Sequence, residues 1–194
     1  MNGYFCLAFK SMSSVSTISA AEGQFETSKQ LVPCEVVERD SLAEHKVFIN
    51  IANEIAKFSK CRAKQVGCII VKDRRIISSG CNGTPTGAIN CCDIFDPTKM
   101  NDVSYRMKHH EFSQAMECHA EQNAILMAAR YGNAIEGCTF YVSLKPCEQC
   151  LKMIASLNVK HIYYSNEYDL FKQYSPQVQV MIRELGIEIV KIDV

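Results

Sequence analysis

Leu42, Phe48, Ile51, Ala52, Ile55 and Phe58 recur at helical spacing, so a helix with one apolar face is predicted over 41–60. Ser41-Leu42-Ala43-Glu44 reads as its capping box, a hydroxyl followed three residues later by a carboxylate. The pattern then changes. Val66-Gly67-Cys68-Ile69-Ile70-Val71 is a short apolar run, hence a buried strand. The chain turns at 73–75, and Ile76-Ile77-Ser78-Ser79 returns as a second strand. An Ala- and Leu-rich helix is predicted over 120–131, closed by Gly132-Asn133. A strand over 138–144, a helix over 147–157 and a strand over 160–164 follow. Ser175-Pro176 opens a last helix, Gly186 stops it, and 187–192 is the final strand. The order is α-β-β-α-β-α-β-α-β. Helical crossovers return the chain to the same direction, so the last three strands should be parallel. The expected architecture is α/β: one five-stranded mixed sheet with helices on both faces.

Two segments escape this pattern. Residues 80–105 carry Gly, Asn and Pro and read as one long loop, a feature that is usually functional or disordered. Cys91 and Cys92 within it, with His109 and His110 just beyond, favour function. Residues 1–40 differ from the rest: 11–21 is rich in Ser, Ala and Thr, and no acidic residue precedes Glu22. They read as a disordered N-terminal extension ahead of a single domain over 41–194. Transit peptides are Arg-rich, and Lys10 is the lone cation before Glu22. A cytoplasmic location is therefore expected, with organelle targeting by the extension as the alternative.

Composition narrows the function classes. Formal net charge is zero, which argues against a sequence-independent grip on nucleic acid. No apolar run approaches the roughly 18 residues of a membrane span. Eleven cysteines, an odd number without a secretory signal, suggest reduced thiols of which some bind metal.

The chemistry concentrates in Cys118-His119-Ala120-Glu121 and Pro146-Cys147-Glu148-Gln149-Cys150. Residues two apart in mid-helix point to different faces, so His119 and Glu121 converge only if the pair straddles a helix start. A lone C-x-x-C is a weak signal; H-x-E followed by P-C-x-x-C is the signature of zinc nucleobase deaminases. His119, Cys147 and Cys150 supply three zinc ligands and leave a fourth position for water, as a catalytic site requires. Glu121 need not bind metal and is the expected general acid–base. A structural zinc knot would need a fourth ligand, Cys118 or Glu121.

Over residues 44–190 the sequence resembles the deoxycytidylate deaminases of the zinc-dependent cytidine and deoxycytidylate deaminase family, above all the phage type. Val66-Gly67, Gly80-Cys81-Asn82-Gly83-Thr84-Pro85, Asn90-Cys91-Cys92-Asp93, the His119 motif through Ile125, Tyr163-Tyr164 and Tyr168-Asp169 carry the resemblance. Cys81 departs from it, standing where the family's G-Y-N-G-x-P loop has tyrosine. The resemblance implies a three-layer α/β/α deaminase fold. It implies hydrolysis of a cyclic-amidine C–N bond, turning dCMP into dUMP and ammonia for dTTP synthesis. It implies that Asn82 bonds the sugar and Tyr168 stacks on the pyrimidine. It also implies a second, structural zinc on Cys61, Cys91, His109 and Glu117, with Cys92 and His110 as alternative ligands. Finally, it implies a homo-oligomer, a hexamer, activated by dCTP with Mg and inhibited by dTTP. Arg130 matches a position associated with subunit contacts and regulation. Two competing readings are a deaminase of tRNA adenosine or single-stranded nucleic acid, which zero net charge disfavours, and a non-catalytic zinc module, which has no use for Glu121.

Overall fold

The computed structural model describes residues 41–168 and 173–194; the expected extension over 1–40 lies outside the described residues. The elements are α1 (Ser41–Ala56), β1 (Gly67–Lys72), β2 (Arg75–Cys81), α2 (Cys91–Ile94), a 3₁₀ turn (Pro97–Lys99), α3 (Val103–Met116), α4 (Ala120–Tyr131), β3 (Thr139–Leu144), α5 (Glu148–Ser156), β4 (His161–Asn166), α6 (Pro176–Leu185) and β5 (Glu188–Lys191).

The strands form one sheet in the order β2-β1-β3-β4-β5. β1 is antiparallel to both β2 and β3. β3, β4 and β5 run parallel, as the intervening helices α5 and α6 dictate. Alternation along the strands divides the core. Cys68, Ile70, Phe140, Val142 and Ile162 pack with Ala120 and Ala124 of α4, Leu151 and Ile154 of α5 and Val178 of α6. Ile69, Val71 and Tyr141 meet Phe48, Ile49 and Ala52 of α1 on the other face. A strand covered on both faces has no polar side to alternate with, which accounts for the apolar run of β1.

Two expectations are corrected. α1 stops at Ala56, four residues short of the expected end. The amides of Lys57, Phe58 and Ser59 return to Glu54, Ile55 and Ala56, a tightened three-residue pattern. Phe58 is 74% exposed, so it is no part of the apolar face that suggested a longer helix. The second correction is larger. Residues 80–105 are not one loop: they contain α2, the 3₁₀ turn and the start of the 14-residue α3. Of the residues of α3 only His109 is fully buried; Tyr105 and Phe112 reach the same small outer cluster but stay partly exposed, so its inward face is too thin to betray the helix. The signal available was its cap, where Asp102 accepts a hydrogen bond from the Tyr105 amide at 2.9 Å.

One glycine sets the position of the chemistry. A Cβ on Gly80 of β2 would lie 2.4 Å from the Ala124 nitrogen and 2.6 Å from the Ala120 oxygen. Its absence lets the first turn of α4 press against the strand backbone. The Ser78 hydroxyl donates to the Ala124 carbonyl at 2.6 Å, and the Asn123 side-chain Nδ2 donates to the Cys81 carbonyl at 2.8 Å, pinning the helix there.

Candidate active site and metal centres

Two helix starts meet at the sheet. His119 is the N-cap of α4, with extended backbone (φ −70°, ψ 160°), and Glu121 lies in the first turn. The His119 amide donates to Gln122 Oε1 at 2.7 Å, and its carbonyl accepts from the Asn123 amide at 3.0 Å. His119 therefore stands outside the helical periodicity while Glu121 stands inside it, which is how a two-residue spacing serves one centre. α5 repeats the device: Cys147 is its N-cap (φ −72°, ψ 165°), and Cys150 falls in the first turn.

His119 Nδ1 lies 3.4 Å from Cys147 Sγ and 3.3 Å from Cys150 Sγ. Ordinary Zn–N and Zn–S bonds at tetrahedral angles give an N···S edge of about 3.5 Å, so the three donors fit zinc in kind and in spacing. The thiols are electrostatically unequal. A hydrogen bond from Cys150, then one from His119, draws the Cys147 thiol down to about 4, while that same pairing and burial push Cys150 up. The bond to Cys147 raises His119. Metal binding takes the remaining thiol proton. Glu121 is 4% exposed, and burial pushes its carboxyl up to about 7.

A second group gathers Cys61, Cys91, His109 and Glu117, whose ligand atoms all lie within 4.8 Å of one another. His109 Nε2 is 3.0 Å from Cys91 Sγ and 3.5 Å from Cys61 Sγ. Glu117 accepts a hydrogen bond from the Ser113 hydroxyl at 2.8 Å. Burial pushes Cys91 up to about 12 and lowers His109, favouring the neutral imidazole that binds metals. Four side-chain donors suit a closed, structural zinc site. Of the alternatives considered from sequence, Cys92 turns its thiol to Asp93 at 3.5 Å and His110 is exposed, so neither joins this group.

Both groups border one cavity of about 520 Å³, lined among others by His109, Glu117, His119, Glu121, Asn82 and Tyr168. The Asn82 side chain is largely engaged already: Oδ1 accepts from the Val66 amide at 2.8 Å, and Nδ2 donates to the Lys64 carbonyl at 3.0 Å. One amide hydrogen is left over. Arg130 stands apart, exposed in the last turn of α4 and about 16 Å along the helix from His119. The cavity also takes in Lys64, Arg106 and Lys145, which sequence reasoning did not single out. Arg106 was hidden with α3; Lys64 and Lys145 sit in irregular segments with no periodicity to read.

A family model described as the cytidine and deoxycytidylate deaminase zinc-binding region matches residues 42–166. The chain belongs to this family. The deoxycytidylate deaminase of Enterobacteria phage T4 is 39% identical over 168 residues, covering 73% of this chain and 86% of the relative. A crystal structure of dCMP deaminase from the cyanophage S-TIM5, in complex with dCMP and dUMP, is 29% identical with a TM-score of 0.60, covering 79% of this chain and 99% of that one. A Thermotoga maritima diaminohydroxyphosphoribosylaminopyrimidine deaminase/reductase shares the fold, with a TM-score of 0.53 at 23% identity over 78% of this chain and 37% of that one. Among the described residues no helix is long and apolar enough to cross a membrane.

Proposed function

We propose that this protein hydrolyses dCMP to dUMP and ammonia. The observation that carries the reading is the convergence of His119, Cys147 and Cys150 beside buried Glu121 on one nucleotide-sized cavity. The names of the phage relatives and the dCMP and dUMP held by the cyanophage structure support the choice of substrate.

His119, Cys147 and Cys150 would hold zinc, which when bound supplies a Lewis acid that brings the pKa of a water towards neutrality. Glu121 then moves the protons. Its carboxylate takes one from the attacking water and delivers it to N3 of the pyrimidine as the C4–O bond forms; it then takes the proton of the new C4 hydroxyl and passes it to the departing amine as the C4–N bond breaks and C4 becomes a carbonyl. Burial pushes this carboxyl up from the ordinary range, in the direction that suits a group that must accept and return a proton at neutral pH. Tyr168 would stack on the base, and the remaining Asn82 amide hydrogen would meet the sugar. Cys61, Cys91, His109 and Glu117 would hold a second, structural zinc.

The wider reading follows the resemblance to the phage enzymes. The domain is 41–194, preceded by an extension, and the enzyme is cytoplasmic. Its dUMP feeds dTTP synthesis. It is a homohexamer with Arg130 at a subunit contact, activated by dCTP with Mg and inhibited by dTTP. Cys81 in place of the loop tyrosine touches this regulation more than the catalysis.

The test is ammonia release by zinc-loaded protein from dCMP, deoxycytidine, dCTP and an adenosine-bearing tRNA stem-loop, each with and without dCTP–Mg. Selective turnover of dCMP, stimulated by dCTP, is expected. Turnover of the stem-loop alone would move the protein to the nucleic-acid deaminases, and silence on all four would contradict the reading.

A further inference from the structure

The cavity holds cations that the chemistry at its floor does not use. Lys64, on the segment between α1 and β1, and Arg106, on α3, both line it. Among the described residues neither forms an ion pair, whereas Lys145 lies 3.6 Å from Glu167. The carboxylates that line the same cavity are otherwise engaged. Glu117 belongs to the second ligand group, Glu121 to the reaction, and Glu148 accepts the Ser175 amide at 2.6 Å. Lys64 is also held in place. Its carbonyl accepts from Asn82 Nδ2 at 3.0 Å, and its ammonium rests 4.8 Å from the centroid of the Tyr168 ring. It therefore joins the two residues assigned to sugar and base.

We propose that Lys64 is the residue that recognises the substrate's 5′-phosphate, with Arg106 as a second cation in the same cavity. The inference rests on the dCMP reading and deepens it. A base stacked on Tyr168 sets its sugar beside Asn82, and the 5′-phosphate is the anionic group one bond beyond the sugar. The ammonium exchanges an exposed contact with the ring face for a charge-assisted hydrogen bond to a phosphate oxygen, the stronger of the two. Lys64 thus makes the cavity prefer the nucleotide to the nucleoside. It touches no reacting atom.

The test measures binding, which does not depend on turnover. Calorimetric affinities for dUMP and for deoxyuridine are compared in zinc-loaded, full-length wild type, Lys64→Met and Lys64→Arg. The wild type is expected to favour dUMP, Lys64→Met to lose about ten- to a hundredfold of that preference, and Lys64→Arg to keep most of it. A Lys64→Met protein that binds both ligands more weakly in equal proportion, or that keeps the wild-type preference, would overturn the inference and leave Lys64 as packing for Tyr168. A wild type that binds neither ligand would overturn the dCMP reading itself, and the inference with it.

Discussion

The two ligand groups share a cavity and differ in what holds them. His119, Cys147 and Cys150 hang from the first turns of α4 and α5, helices packed on the sheet through Ala120, Ala124, Leu151 and Ile154, all fully buried. Cys61, Cys91, His109 and Glu117 come from a loop, from the four-residue α2, from α3 and from its C-cap, outside the sheet. Their apolar support is a separate small cluster: Phe95 packed against Met100, Tyr105 and Phe112. In the first group the scaffold positions the donors. In the second the donors, if metal-bound, would position the scaffold, because the apolar cluster against α3 is small. A metal at the second group would order one wall of the cavity; a metal at the first would serve the proposed chemistry on a wall that is already fixed.

The largest break is at the first group. His119→Ala should lower dCMP turnover by at least about 10⁴-fold and remove one zinc per chain, while the circular dichroism spectrum stays native. Loss of both metals together would erase the distinction between the groups. Gly80→Ala attacks the same group through its scaffold. The added methyl meets α4 backbone 2.4 Å away, so a destabilisation of about 3 kcal/mol is expected in denaturant titrations, with weakened zinc affinity. A neutral Gly80→Ala would show that α4 is free to shift.

A third test sharpens the contrast through pH. With metal stripped, Glu121 has a folded-state pKa of about 7 against an ordinary 4.5. The folded state then keeps a proton that the unfolded chain releases, so this carboxyl lowers stability as pH rises from 4.5 through about 7. Stripped Glu121→Gln lacks that dependence. It should gain on stripped wild type across the window, reaching about 3 kcal/mol above it, with no ionisation difference below pH 4.5. The smallest effect is local. Cys91→Ala should speed amide exchange in α2 and α3 by about tenfold or more and leave β1, β3 and β4 protected. Uniform loss of protection would mean that the outer cluster is part of the main cooperative core.

The same contrast decides what was legible in the sequence. Sheet and helix periodicities come from burial, so the five strands, the parallel trio and α4 at 120–131 could be read directly. The requirement that His119 and Glu121 straddle a helix start also follows from backbone geometry, and the N-cap position of His119 meets it. α3 left no such trace. Its one fully buried residue is His109, with Tyr105 and Phe112 only partly covered beside it, and its stability draws on the outer cluster. Cys91 and His109 stood out as Cys and His in and just beyond a long loop, but the four residues as one ligand set came only through family resemblance, since their spacing in sequence (61, 91, 109, 117) follows no element period. Lys64 was invisible because a cation in an irregular segment looks like any solvated surface lysine until the cavity is drawn around it.

In the proposed reaction Glu121 carries the protons at a zinc held by three other residues. The direct measurement is ammonia release from dCMP by Glu121→Gln, with zinc counted on the same sample. We predict a rate lower by about 10²- to 10⁴-fold with the wild-type complement of zinc. Near-wild-type turnover, or loss of zinc along with activity, would contradict it: the first would deny Glu121 its role, and the second would make it a ligand.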